Sequence, residues 1–139
     1  MALPREQIEA YRDADYVVFG EDELVLRIGE PSARLDALLD AHGAPCAAFV
    51  TAANPRSEPH SKAENAILNV ALLKLVDSAG YPRYEGEGRS PDGSWREPST
   101  LVVGIFRENA EALGRLFSQN AIVFIERGKA PELVMLLQQ

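Results

Sequence analysis

The 139 residues hold one cysteine, two histidines, no run of five like charges and no apolar stretch near the length of a membrane span. Each shortage excludes something. Cys46 has no partner within the chain for a disulfide and cannot build a C-x-x-C half-site, so a reducing compartment fits best. His42 and His60 stand eighteen apart, which gives no metal-ligand spacing, and the sequence implies neither a metal nor a cofactor. The opening M-A-L-P-R-E-Q-I-E lacks the apolar core of a signal peptide, and spanning a bilayer takes about twenty apolar residues. A cytoplasmic protein without a membrane partner is the expectation. Basic residues are scarce as well: 14 Lys and Arg against 21 Asp and Glu leave a formal charge of −7. Nonspecific binding to nucleic acid is disfavoured, because affinity for the phosphate backbone rests on neutralising its charge. Catalytic signatures are missing too. There is no G-x-x-x-x-G-K-[ST] loop and no G-x-S-x-G elbow, Gly86-x-Gly88 lacks a third glycine, and Cys46 within A-P-C-A-A-F-V reads as a small buried hydrophobe.

What is present is a core. A 46% hydrophobic content supplies it, and a chain of this length buries roughly two-thirds of the surface it exposes when unfolded. No repeat or linker divides the sequence, so residues 1–139 are read as one domain. Pro4 opens a short helix with Ile8 and Tyr11 on one face, a cap rather than core. Y-V-V-F and E-L-V-L-R-I flank Gly20-Glu21-Asp22 as a hairpin. Ser32 caps a helix that buries Leu35, Leu38 and Leu39 and stops at Gly43. Residues 47–52 form a central strand covered on both faces. Ser61 and Glu64 make a capping box for a long helix over 61–79, with Leu68, Leu72, Leu75, Val76 and Ala79 as its buried face. Residues 80–98 form a long hairpin turning at Ser90-Pro91-Asp92-Gly93. Residues 101–106 are a further strand. Glu108 or Asn109 opens a helix that buries Ala110, Leu113, Leu116 and Phe117 and ends with Asn120 in the left-handed conformation. Two strands close the chain. The fold class is α+β (mixed α/β): a mixed, mostly antiparallel sheet of six or seven strands packed with three or four helices.

Three polar clusters are the candidates for chemistry. In T-A-A-N-P-R-S-E-P-H-S-K-A-E-N a buried strand runs into a turn and a helix start, where sheets commonly place ligands. Asn54 before Pro55 suits a turn; Arg56 offers donors near a helix N-terminus that favours anions. Asn65 falls on the face of Leu68 and Leu72, where an amide must find partners. His60 has the pKa range of an acid or base. In the second cluster Trp95, Glu97 and Ser99 share one face of an extended segment. A carboxylate beside apolar surface can have a raised pKa, whereas pairing with Arg89 would make Glu97 structural. In F-S-Q-N-A, Asn120 suits a cap, while Gln119 has no such account.

Together T-A-A-N-P-R-S, the following E-N, G-E-G-R-S-P-D-G-S-W-R-E-P-S and G-R-L-F-S-Q-N-A-I-V-F resemble a bacterial family of uncharacterised proteins, domain of unknown function three-two-nine-three. The resemblance runs from Tyr11 to about Phe124. The family's T-A-x-N-P turn is matched by Thr51, Ala52, Asn54 and Pro55, its W-x-E-x-S segment by Trp95, Glu97 and Ser99, and its F-x-Q-x-A segment by Phe117, Gln119 and Ala121. It implies a small bacterial cytoplasmic protein and carries no activity. The first expectation is a binding module in which Asn54, Arg56, Ser57, Asn65, Trp95, Glu97, Ser99 and Gln119 hold a small polar or anionic ligand. The alternatives are a hydrolase or nuclease on a phosphate-containing substrate, with Glu97 or His60 as base and Arg56 as charge stabiliser, and a protein-interaction domain using the Gly86 to Trp95 hairpin.

Overall fold

The computed structural model describes residues 3–136. Helix α1 (Arg5–Asp13) follows Pro4 and buries none of its residues. Strands β1 (Asp15–Val18) and β2 (Leu24–Leu26) form the expected antiparallel hairpin. In α2 (Ala33–Ala41) the Ser32 hydroxyl accepts from the Leu35 amide at 3.1 Å, and Leu35 and Leu39 are buried. Strand β3 (Cys46–Val50) is buried at every position, as an apolar strand between two layers must be. A 3-10 turn (Pro55–Ser57) leads to α3 (Lys62–Ser78), whose capping box is complete. The Ser61 hydroxyl accepts from Glu64 N and the Glu64 carboxylate from Ser61 N. Strands β4 (Arg83–Arg89) and β5 (Arg96–Val103) are the long hairpin, turning where Gly93 N donates to Ser90 O. Helix α4 (Arg107–Leu116) and strands β6 (Ala121–Glu126) and β7 (Glu132–Met135) complete the described chain.

The seven strands lie in the order β2-β1-β4-β5-β3-β6-β7, and every pairing is antiparallel. Alternation along each strand divides the core in two. Ala47, Phe49, Leu101, Val103, Val123 and Ile125 face α2 through Leu35 and Leu39. Ala48, Val50, Val102, Ile122 and Phe124 face α3 through Leu72 and Val76 and α4 through Ala110. The result is three layers, with α2 packed on the core of one face and α3 and α4 on the other.

Several local expectations are corrected. Residues 101–106 are not a separate strand: 101–103 finish β5, and Gly104, at φ 85°, turns the chain out of the sheet. Phe106, rather than Glu108 or Asn109, precedes the first turn of α4. Leu75 and Leu116 are exposed, as is Ala79, because α3 and α4 touch the sheet along narrower stripes than the spacing of their leucines suggests. Ser118, not Asn120, takes the left-handed conformation after α4, and Asn120 is buried. Among the described residues no helix is long and apolar enough to cross a membrane.

Candidate functional site

Along β5 the face of Leu101 and Val103 continues outward through Ser99 and Glu97. No residue of α2 lines the space over these two positions. It is instead bounded by Tyr11 from α1, by Ser57 and Pro59 from the turn after β3, and by Trp95 on the hairpin. The result is a cavity of about 240 Å³. Six of the eight residues singled out in the sequence line it: Asn54, Ser57, Trp95, Glu97, Ser99 and Gln119.

Glu97 is the one formally charged residue in the lining. Its Oε2 accepts from Asn54 Nδ2 at 3.0 Å, and no hydrogen bond from the described residues reaches Oε1. Burial pushes its carboxyl up from the ordinary 4.5 to about 7, against the smaller opposing effect of the Asn54 hydrogen bond. Arg89 is not its partner, since that guanidinium bonds Glu87 and Glu23. Trp95 lies over Gly88, where a methyl group would meet the ring at 3.4 Å.

Asn54 is held by a reciprocal amide lock. Its N–H donates to Asn65 Oδ1 at 2.9 Å, and its Oδ1 accepts from Asn65 Nδ2 and from His60 N, both at 3.0 Å. Asn65 therefore positions Asn54 and does not itself line the cavity. The lock sits in strained backbone: Asn54, Arg56 and Ser57 all have positive φ, at 47°, 59° and 61°. Arg56 donates its amide to Ser118 O at 2.7 Å while its side chain is exposed and outside the lining. At the α3 N-terminus the capping box takes up the Ser61 and Glu64 amides. His60 also lies outside the lining, its ring bonded to Glu58 O.

Gln119, left without an account by the sequence, donates to Ala53 O at 3.0 Å and Phe117 O at 3.3 Å, tying the end of α4 to the end of β3. Thr51 Oγ1 donates to Pro98 O and accepts from Ala53 N, fixing the same corner. The sequence reading missed Tyr11, Tyr16 and Phe49. Tyr16 meets Phe49 edge-on, 5.5 Å between centroids, and its hydroxyl donates to Tyr11 O. Burial, reinforced by Glu97, raises the Tyr16 phenol well above its usual range. Tyr11 hydrogen-bonds Ser57 Oγ, which also accepts from Asn120 Nδ2 at 3.1 Å. Ile8 and Tyr11 on one helical face were legible; that this face closes a cavity was not.

Among the described residues no group of three or more His, Cys, Asp or Glu is placed to hold a metal ion. The chemistry on offer is hydrogen bonding, one ionisable carboxyl and four aromatic rings.

No curated protein and no solved structure matches this chain. The model of one family, described as Protein of unknown function (DUF3293), matches residues 50–122. That span contains the Thr51 to Pro55 turn, the Trp95 to Ser99 segment and the Phe117 to Ala121 segment, and with them all eight residues singled out above. On this match the chain belongs to the DUF3293 family of proteins of unknown function.

Proposed function

We propose that this protein is a binding module for a compact, largely apolar molecule that presents a polar group to Glu97. The observation that carries the reading is the carboxyl itself: one oxygen is fixed by Asn54, the other receives no hydrogen bond from the described residues, and Glu97 lines a cavity walled by Tyr11, Tyr16, Phe49 and Trp95. Binding sites are typically apolar concavities with a few fixed polar groups. At about 240 Å³ the cavity exceeds the roughly 150 Å³ that accommodates benzene and falls short of the drug-sized range. A single ring with a short substituent suits it.

The polar half of the earlier expectation is kept and the anionic half is not. An anion would meet Glu97 with no Lys, Arg or His in the lining. The same balance weighs against a phosphate-directed hydrolase, which would need a cation to stabilise charge on the transferred group, and Arg56 lies outside the lining.

The test is to record amide shifts of labelled protein against monocyclic alcohols, amides and amines, with inorganic phosphate as the anionic control. Shifts clustered at Thr51, Asn54, Ser57, Gly88, Glu97 and Gln119, with none from phosphate, are expected. A folded protein whose cavity amides answer only to phosphate, or to no compound at millimolar concentration, overturns the reading.

A further inference from the structure

We propose that the ligand of this cavity is an organic cation, an ammonium compound of one ring or smaller, held among the aromatic rings with its charge toward Glu97. The inference rests on the cavity being a binding site and adds the sign of the ligand's charge.

Glu97 is partly buried, and a carboxylate withdrawn from water is costly unless it is paired. The hairpin carries arginines at positions 89 and 96, on either side of the turn and one residue from Glu97, yet both are committed to Glu87. Among the described residues, the side-chain hydrogen bond that Glu97 receives is from the neutral Asn54 amide. Among the described residues the acid is thus left without a cation paired to it. Around that acid stand Tyr11, Tyr16, Phe49 and Trp95. Aromatic faces attract ammonium groups through the ring quadrupole, more strongly where water is excluded, and clusters of such rings are the known means of recognising quaternary ammonium. A neutral ligand could hydrogen-bond the carboxylate but would leave its charge unbalanced.

The groups that titrate and face Glu97 are the phenols of Tyr16 on β1 and Tyr11 on α1. Tyr16 is held neutral by its raised phenol. His60, whose amide supports Asn54, does not line the cavity. Glu97 therefore changes charge near pH 7, and a cation must bind more tightly as pH rises through that point. A neutral molecule accepting a hydrogen bond from the protonated carboxyl would show the opposite slope.

The experiment uses tetramethylammonium, choline and benzyltrimethylammonium, each against its uncharged isostere with carbon in place of nitrogen. Affinities are measured by titration calorimetry at about pH 6 and about pH 8, and amide shifts locate the binding. The fixed charge of these cations leaves the protein as the source of any pH dependence. At the higher pH at least one cation is expected to bind about tenfold more tightly than its isostere, with the preference shrinking at the lower pH. Glu97→Gln, which keeps an acceptor for Asn54, should remove both the preference for the cation over its isostere and the pH dependence of cation affinity. Isosteres that bind in the cavity as well as the cations, or cation affinities that fall with rising pH, overturn the inference while leaving the binding site intact. Neither set perturbing the cavity amides overturns the inference too, and the neutral alcohols and amides of the earlier panel then decide the site separately.

Discussion

Glu97 links the cavity to stability. Its carboxyl ionises near 4.5 in the unfolded chain and near 7 in the folded one. Between those values the folded chain keeps a proton that the unfolded chain has released, so stability falls as pH rises across the window and is level above it. The displacement corresponds to on the order of 3 kcal/mol. Glu97→Gln should therefore stabilise the free protein by about that much near pH 8 and by almost nothing near pH 4, measured by urea denaturation at each pH. An equal effect at both values would show that the carboxyl is not strained by burial. Arg56 gives a second prediction of the same kind. Its φ of 59° strains any residue with a Cβ, and its exposed side chain forms no hydrogen bond among the described residues. Arg56→Gly should raise stability by about 0.5–1 kcal/mol and leave ligand binding unchanged. A loss of binding would restore Arg56 to the site from which the geometry removes it. That Glu97 would lie beside an aromatic ring was legible from alternation along the 95–100 segment; that Asn54 would bond it was not, because the two are 43 residues apart.

Elements whose signals are local were read from sequence closely, and those set by packing were not. The Ser61 and Glu64 box defines the start of α3, and Ser32 and Gly43 bound α2, because caps depend on a few adjacent residues. The buried stripe of α3 was drawn too wide, since the sheet meets only Leu72 and Val76 fully and leaves Ile67, Val70 and Leu75 in solvent. Gly86 shows the same limit: it resembles a turn glycine in sequence, yet it lies inside β4. A Cβ there would stand 2.0 Å from Val17 O on the paired strand and 3.3 Å from the Phe49 ring. The first contact is to backbone that cannot rotate away, so Gly86→Ala should cost about 3 kcal/mol and loosen the β1–β4 pairing. Thermal denaturation and exchange of the Val17 and Val18 amides would check this. Gly88→Ala is the control, because its added methyl meets only the Trp95 ring and the Glu97 side chain at ordinary contact distances, and little change in stability is expected.

For the molecule as a whole, the site exists because strand order gathers segments distant in sequence. The order β1-β4-β5-β3-β6 sets Tyr16, Glu97, Phe49 and Val123 around one space, and no periodicity in the chain encodes that order. The three layers are also uneven. Helix α2 covers the inner part of one face, whereas the outer part is closed by α1, which buries no side chain of its own and is tied down through Tyr11 to Ser57, Tyr16 and Asn120. Such an element should open by local unfolding at a free energy well below that of the sheet. Amides of α1 are thus expected to exchange faster than those of β3 and β5 by at least about two orders of magnitude, while the sheet amides exchange together. Tyr11→Phe removes the hydroxyl that holds the helix and should speed α1 exchange further without moving the sheet's. A ligand in the cavity touches Tyr11, so it should slow α1 exchange by the factor that mass action sets, one plus the ratio of free ligand to its dissociation constant. Hydrogen exchange with and without ligand measures both effects. If α1 exchanged as slowly as β3 in the free protein, the helix would belong to the cooperative core, and entry to the cavity would have to lie elsewhere along its rim.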